Sequence, residues 1–280
     1  MFVVICILDG ALGYGAERPI KIGVVIDGSN QEEKAPLEAY LTKAMGRPVI
    51  VASPGSYGET VAGLADGSYD FACLGALVYI RAHAKYGVIP LVQRETDLHY
   101  RSVFITGAGS SIYSLSDLKG TRFAFGDIDS TSGHLQPYLE LRKAGINPET
   151  DLTYRYAGSH PATAAVVASG AVDAGAIDET VLDFLIRNGQ LDGKRVRVFY
   201  TSEPYIDYVW VARKEVLGAE REKFSRALLS LKGGKDDQIL KILRGNKFVV
   251  ANDEEYGATR AIERELGTGS RVHVRPLKNR

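Results

Sequence analysis

The chain has 280 residues, 45% of them apolar and 24% charged, enough for packed cores in more than one unit of the roughly 150-residue size typical of a domain. Lys plus Arg and Asp plus Glu each number 34, so the net charge is zero, which excludes the broad basic face that nucleic-acid binding needs. Of the two cysteines, Cys6 falls in an N-terminal run read below as a secretory signal, so a mature chain would keep only Cys73 and no disulfide framework, and the sequence lacks metal-ligand spacing, a GxxxxGK[ST] phosphate loop and a GxSxG elbow; no metal or cofactor is expected, and the ATPase and hydrolase classes are disfavoured.

The N-terminal run Phe2–Leu8 is apolar and is followed by Asp9 and a small-residue stretch, Ala11–Ala16. It reads as the end of a secretory signal with Gly13 and Gly15 near the cleavage site, or as an N-terminal strand or tail; it is too short to span a bilayer. A strand is predicted over Ile20–Ile26, a helix from about Glu32 to Met45, a strand over Val49–Ala52, and a polar loop, Ser53–Gly58, that opens a helix. An apolar run from Phe71 leads into another helix. The pattern then starts again with a strand at Thr121–Phe125, a helix at Leu135–Ala144, a strand at Leu152–Tyr156, a loop at Gly158–Pro161 with a helix after it, and an apolar run from Ala174.

The second round repeats the first. Pro54–Asp70 aligns with Ala157–Asp173 at a constant offset of 103 with no gap, and seven of 17 positions are identical: Gly55/Gly158, Ser56/Ser159, Thr60/Thr163, Ala62/Ala165, Ala65/Ala168, Gly67/Gly170 and Asp70/Asp173. Strands alternating with helices imply parallel sheets covered on both faces. The expected fold is therefore α/β, with two similar doubly wound lobes. Ligands of such sheets bind beyond the carboxyl ends of the strands. A cleft between the lobes would be lined by the loops 27–31, 53–58, 74–76, 127–134, 158–161 and 177–179. The repeat puts Tyr57 and His160 at equivalent positions, and likewise Gly75 and Asp178.

The stretch Phe125-Gly126-Asp127-Ile128-Asp129-Ser130-Thr131-Ser132-Gly133 is the most informative. Three hydroxyl side chains and several unpaired backbone N–H groups converge at one predicted helix N-terminus, a favourable place for an anion. Ordinary N-capping by one of them is the plainer alternative.

These features, with Asp70-Phe71-Ala72-Cys73-Leu74-Gly75, Leu115-Ser116-Asp117-Leu118-Lys119-Gly120, Ala144-Gly145-Ile146-Asn147-Pro148 and Gly158-Ser159-His160, resemble the phosphate/phosphite/phosphonate-type solute-binding proteins of ABC transporters, within the type II periplasmic binding fold. The resemblance runs from about Pro19 to Leu266. It implies that Ser130, Thr131 and Ser132 cradle a tetrahedral oxyanion, that Tyr57, Tyr100 and His160 contact it, and that Asp178 accepts a proton from it. Tyr205 and Asp207 fall where members of the family vary, and Cys73 replaces a bulky aromatic. No catalysis is expected. An extracytoplasmic, monomeric protein that delivers a small oxyanion to an ABC permease is the expected function. A periplasmic sensor that takes up arsenite through Cys73 and signals to a membrane kinase is the alternative.

The residues themselves leave choices open. His160 either donates to an anion, with a pH-sensitive charge, or caps a helix. Asp178 either accepts from a ligand O–H or caps the helix that starts at Glu179. Tyr57 and Tyr100 either bind or pack. Arg101 is a candidate local cation that strand alternation could turn away, and Cys73 is expected one layer beneath the cleft floor because it shares a strand face with Gly75. The chain is expected to cross between lobes near Val103–Gly107 and to return near Tyr205–Val209 through a two-strand hinge. That gives residues 1–17 as signal or tail, 18–104 plus 206–280 as one lobe, and 105–205 as the other.

Overall fold

The computed structural model describes residues 18–24 and 31–266. The apolar N-terminal run and the loop residues 27–30 lie outside them. The strands are β1 (Ile20–Val24), β2 (Val49–Ala52), β3 (Phe71–Leu74), β4 (Ile89–Arg94), β5 (Ser102–Gly107), β6 (Arg122–Phe125), β7 (Thr153–Tyr156), β8 (Ala174–Asp178), β9 (Val196–Thr201), β10 (Val209–Ala212) and β11 (Phe248–Val250). The helices are α1 (Gln31–Met45), α2 (Tyr57–Asp66), α3 (Ala76–Tyr86), α4 (Gln136–Lys143), α5 (Pro148–Asp151), α6 (His160–Ala168), α7 (Glu179–Arg187), α8 (Gly218–Leu229), α9 (Asp237–Ile242) and α10 (Gly257–Leu266).

Two sheets result. Six strands run β11-β4-β10-β3-β1-β2 and five run β7-β6-β8-β5-β9. The two share one plan. A parallel trio, β2-β1-β3 or β7-β6-β8, is followed by an antiparallel strand, β10 or β5. Alternate residues of each strand enter separate cores on the two faces. Ile20, Ile22, Phe71 and Trp210 lie on one side of the first sheet and Ala72, Leu74, Val209 and Val211 on the other. Phe104, Phe123 and Phe125 lie opposite Val103, Ile105 and Ile177 in the second. Apolar strand runs without a polar face are what a doubly covered parallel sheet requires.

The identities of the repeat are structural. Ser56 and Ser159 are the N-caps of α2 and α6, accepting from Glu59 N at 3.2 Å and Ala162 N at 3.3 Å. Thr60 and Thr163 each donate to the carbonyl of that cap at 3.0 Å. Gly67 and Gly170 have φ of 82° and 74°, the left-handed conformation that glycine adopts without strain. Asp70 and Asp173 each take a backbone N–H at the start of the central strand of their parallel trio, Lys21 of β1 at 3.1 Å and Arg122 of β6 at 2.8 Å.

The chain passes between the sheets at Tyr100 and Tyr205, whose backbones exchange hydrogen bonds of 2.8 and 3.0 Å. Residues 102–104, expected with the first sheet, belong to the second. Ser102 already pairs with Asp178 in the β5–β8 ladder, and its N–H is held by the Ser202 hydroxyl at 3.0 Å. The first crossing therefore comes just before the expected Val103–Gly107 span.

Candidate functional site

Strand β6 ends at Phe125, and the chain returns through one π-helical turn, Thr131–Leu135, into α4. Ser130 caps that turn, accepting from Gly133 N at 2.9 Å. The turn sits tightly on the strand end. A Cβ on Gly133 would come within 3.1 Å of Gly126 Cα and of the His160 ring, so a side chain there would crowd the strand end. Thr131 and Ser132 are 3% and 1% exposed. The Thr131 hydroxyl reaches the opposite lobe and accepts from Leu77 N, in the first turn of α3, at 3.0 Å. Ser102, on β5, donates to the Ser132 carbonyl at 2.8 Å and meets the Tyr205 hydroxyl at 2.7 Å. The three hydroxyl residues therefore divide their tasks. Ser130 is the cap, and Thr131 and Ser132 face inward.

Gly75 caps α3 opposite this turn. A Cβ there would meet Asp207 Oδ1 and Thr131 Oγ1, each at 3.4 Å. Asp207 Oδ1 accepts from Ala76 N at 2.9 Å. Its other oxygen, Oδ2, is buried and has no hydrogen-bond partner among the described residues. Burial pushes the Asp207 carboxyl up to about 7, against the Ala76 N–H and the Thr131 hydroxyl, which favour the charged form; Asp178 and Asp97 raise it further.

His160 and Asp178 come together below the cradle. Asp178 N–H donates to His160 Nδ1 at 3.3 Å, and His160 Nε2 lies 3.4 Å from the Ser132 hydroxyl. With Nδ1 accepting, the ring proton sits on Nε2 and points at Ser132 Oγ, which leaves the Ser132 O–H as a donor, with the Tyr205 hydroxyl among its partners. The imidazole is 5% exposed. Burial, with a smaller contribution from Arg244, lowers it to about 4, so it is neutral near pH 7. The pH-sensitive charge expected of His160 is thus displaced to acid, and Ser159, not His160, caps α6. The Asp178 carboxylate is fully used. Oδ1 accepts from Thr180 N, Thr180 Oγ1 and Val181 N at 2.6, 2.9 and 3.0 Å, and Oδ2 accepts from the Tyr100 hydroxyl. Of its two readings, the helix cap of α7 is the one observed. Burial raises it to about 6, against these donors.

The Tyr57 hydroxyl meets the Tyr208 hydroxyl at 3.1 Å, and Tyr100 stands edge-on to Tyr205 and Tyr208. Two cavities flank this ring cluster. One, of about 60 Å³, lies between the two copies of the repeat and includes Ser56, Tyr57, Ser159 and His160; Tyr57 and His160 face the same space. The other, of about 70 Å³, is lined by Tyr57, Tyr100 and Asp178 with Tyr208, Arg94 and Cys73. Arg101 joins neither, since its guanidinium donates to the Ser202 carbonyl at 2.8 Å. The buried cation is Arg94, which sequence reasoning missed although Arg94-Glu95-Thr96-Asp97 closes a strand with a pairable i,i+3 couple. Its fork takes Asp97 at 2.5 and 2.8 Å and its face lies 5.3 Å from the Tyr208 ring. Cys73 departs from expectation. It lines the cavity, because β3 ends at Leu74 and Gly75 already turns into α3, so strand alternation does not extend to Gly75. Burial raises the thiol to about 12, partly opposed by Arg94.

Residues 22–256 match the family model described as the periplasmic substrate-binding protein of an ABC transporter for phosphonate. The chain belongs to this family. Its relatives include a probable ABC transporter phosphite-binding protein, PhnD1, of Prochlorococcus marinus, 30% identical over 75% of this chain and 76% of that protein. A phosphate-import protein, PhnD, of Mycolicibacterium smegmatis is 29% identical over 66% of this chain and 62% of its own length. The structure of the Prochlorococcus PhnD1 with methylphosphonate superposes with a TM-score of 0.82 and 28% identity, covering 89% of this chain and 98% of that one. The two-lobe α/β architecture expected from the sequence is the type II periplasmic binding fold of these neighbours.

Proposed function

We propose that this protein captures a tetrahedral phosphorus oxyanion between its lobes, bound through Thr131, Ser132, His160, Tyr57 and Asp207, and delivers it unchanged to an ABC permease outside the cytoplasm. The observation that carries the reading is the buried Asp207 carboxyl beside the Thr131 hydroxyl, whose Oδ2 has no hydrogen-bond partner among the described residues. A buried acceptor without a donor is expensive. A singly protonated phosphonate, phosphite or phosphate supplies the missing O–H, while its other oxygens accept from hydroxyls and from the N-terminus of α3. Asp207 thus takes the proton-accepting part that the family resemblance suggested for Asp178, which supports the site through Tyr100 and His160. Contacts from both lobes favour the closed form that a permease would recognise.

Calorimetry with methylphosphonate, phosphite, phosphate and sulfate tests the reading. The three phosphorus anions should bind and be recovered unchanged, and sulfate, which carries no proton of its own, should bind poorly once pH exceeds about 7 and Asp207 has lost its proton. Tight sulfate binding that persists above pH 7 would refute it. The position of Cys73 on a cavity wall is the one observation that favours an arsenite sensor. A thiol held near 12 is protonated and unreactive, so Cys73→Ser should leave oxyanion affinity within about threefold; rapid labelling of Cys73 that arsenite blocks would support the sensor.

A further inference from the structure

We propose that Arg244 is a positioning residue that clasps the closed form: its guanidinium reaches from the first lobe to the Phe184 ring of the second and slows release of the bound anion. The inference rests on the oxyanion reading above and names a residue that governs how long the ligand stays. Helix α9 ends in a doubly bonded turn. Gly245 N donates to the Leu240 carbonyl at 3.0 Å and Arg244 N to the Lys241 carbonyl at 3.1 Å. That pair of bonds closes on a left-handed residue at position 244, where helices commonly carry glycine. Here the residue is an arginine with φ of 50°, the one non-glycine with positive φ among the described residues, and the glycine comes one position later. A side chain in the left-handed conformation costs free energy, and residues held in this way gather where function requires them.

What the conformation achieves is a contact between lobes. Ile239, Leu240 and Leu243 anchor α9 in the first-lobe core with Ile20 and Leu37. Phe184 lies on α7 and packs against the second-lobe core of Val103 and Ile177. The Arg244 guanidinium lies over the Phe184 ring at 4.4 Å from its centre, inside the reach of about 6 Å over which a cation is drawn to an aromatic face. Each end is tied to the site. Helix α7 starts at the Asp178 cap, which Tyr100 also holds. On the other side, Arg94 donates to the carbonyls of Leu243 and Arg244 at 3.4 and 3.2 Å, and a Cβ on Gly245 would come within 3.0 Å of the Arg94 stem. Arg94 is gripped by Asp97, whose carbonyl accepts from Asp207 N at 3.0 Å. The backbone of Arg244 is thus fixed to the segment that carries Asp207, and its side chain to the helix that Asp178 caps. Arg244 borders the cavity of Tyr100 and Asp178, and Arg81 and Asp129 border a different one beside α2 and α3, so the lobes are joined at two separate places. Separation of the lobes breaks the Arg244–Phe184 contact, which makes it a property of the closed form.

The test is stopped-flow release of methylphosphonate from the full chain, followed by the fluorescence of Trp210, the one tryptophan, together with the melting temperature of the ligand-free protein. Arg244→Gly, Arg244→Met and Phe184→Leu should each speed release about three- to tenfold, with association changed by less than about twofold. Arg244→Lys, which keeps a cation at that place, should release more slowly than Arg244→Met. The double variant Arg244→Met/Phe184→Leu should be no faster than the faster single. Without ligand, Arg244→Gly should melt no lower than wild type, because glycine suits the left-handed position. A residue kept only to finish α9 would not combine faster release with undiminished stability. Wild-type release rates in Arg244→Met and Phe184→Leu, additive effects in the double variant, or a lower ligand-free melting temperature for Arg244→Gly would overturn the clasp. Absence of methylphosphonate binding to the wild type would refute the oxyanion reading and the clasp with it.

Discussion

The Thr131 hydroxyl accepts from the Leu77 amide at 3.0 Å, so a side chain of the second lobe caps part of the first turn of a first-lobe helix. The same N-terminus meets Asp207 through Ala76 N. An α-helix leaves its first N–H groups without internal partners, and here one is taken by a hydroxyl from across the cleft. An oxyanion that enters must compete with or extend this contact, which couples ligand binding to the approach of the lobes.

Thr131→Ala should therefore weaken phosphonate binding about tenfold or more, since a hydrogen bond to a charged group contributes roughly 1.5–3 kcal/mol. Ser132→Ala should do the same. Ser130→Ala should mainly lower stability, by about 1 kcal/mol, as loss of a helix cap does. Calorimetry and thermal denaturation separate the two effects; unchanged affinity in both Thr131→Ala and Ser132→Ala would leave these hydroxyls a purely structural role.

Asp207 makes a pH prediction whose sign is fixed. Its carboxyl is raised from 3.8 to about 7, so the folded protein holds a proton that the unfolded chain has released. The stability this gives is complete below about pH 4 and is lost as pH rises through 7. His134 and His160 run the other way. Each is lowered from 6.5 to about 4, so their contribution is present above 6.5 and is lost as pH falls toward 4. The difference between Asp207→Asn and wild type removes the histidine part. In phosphate-free buffer the melting temperature of the variant should gain on wild type from pH 4 to 7 and stay level above. Phosphonate affinity of the wild type should fall once pH exceeds both 7 and the last pKa of the ligand, because no proton then remains to bridge ligand and carboxylate. A difference profile without slope between pH 4 and 7 would show that Asp207 is ionised throughout.

The repeat made much of this architecture legible before any coordinates. Ser56, Thr60, Gly67 and Asp70 and their partners in the second copy obey local rules of capping, positive φ and strand-start pairing, and such rules are written in short sequence spacings. Ser130–Gly133 was legible for the same reason. Asp207 and Arg94 were not. The partner of Asp207, Ala76, lies 131 positions away in sequence, and the isolation of its second oxygen depends on tertiary burial. The neutrality of His160 likewise follows from burial that no spacing reports. Asp178 followed its local pattern, a carboxylate just before a helix, and capping used it up.

The cleft also carries an ion pair that should tune affinity without touching the ligand. Arg81, on α3, binds Asp129 of the β6–α4 loop at 2.6 Å and Glu263 of α10 at 2.6 Å. The first pair joins the lobes and the second stays within one. Arg81 and Asp129 are about one-third exposed, so the pair is worth about 0.2–1 kcal/mol and weakens with salt. Arg81→Ala and Asp129→Ala should each speed phosphonate release by up to about fivefold, and the double variant should be no faster than the singles. Glu263→Ala should change the release rate little. Stopped-flow kinetics at low and high salt check this; full additivity of the two substitutions would exclude a latch.

The last prediction compares the two copies of one repeated residue. Asp70 and Asp173 make the same bond to the start of their central strands, yet their surroundings differ. The Asp70 side chain is 3% exposed and takes Arg18 and Arg213 besides Lys21 N. The Asp173 side chain is 36% exposed and takes Arg122, itself 46% exposed. Removing Asp70 takes a buried acceptor from Lys21 N and from the Arg213 guanidinium, whose side chain is 20% exposed, a loss of about 1–3 kcal/mol. Removing Asp173 leaves groups that water can reach, a loss of about 1 kcal/mol or less. Asp70→Ala should therefore lower the melting temperature clearly more than Asp173→Ala, by about 2–4 °C for each kcal/mol of difference, and oxyanion affinity measured well below either transition should stay near wild type in both. Equal shifts would mean that the backbone bond, shared by both copies, carries the stability and the flanking arginines add nothing.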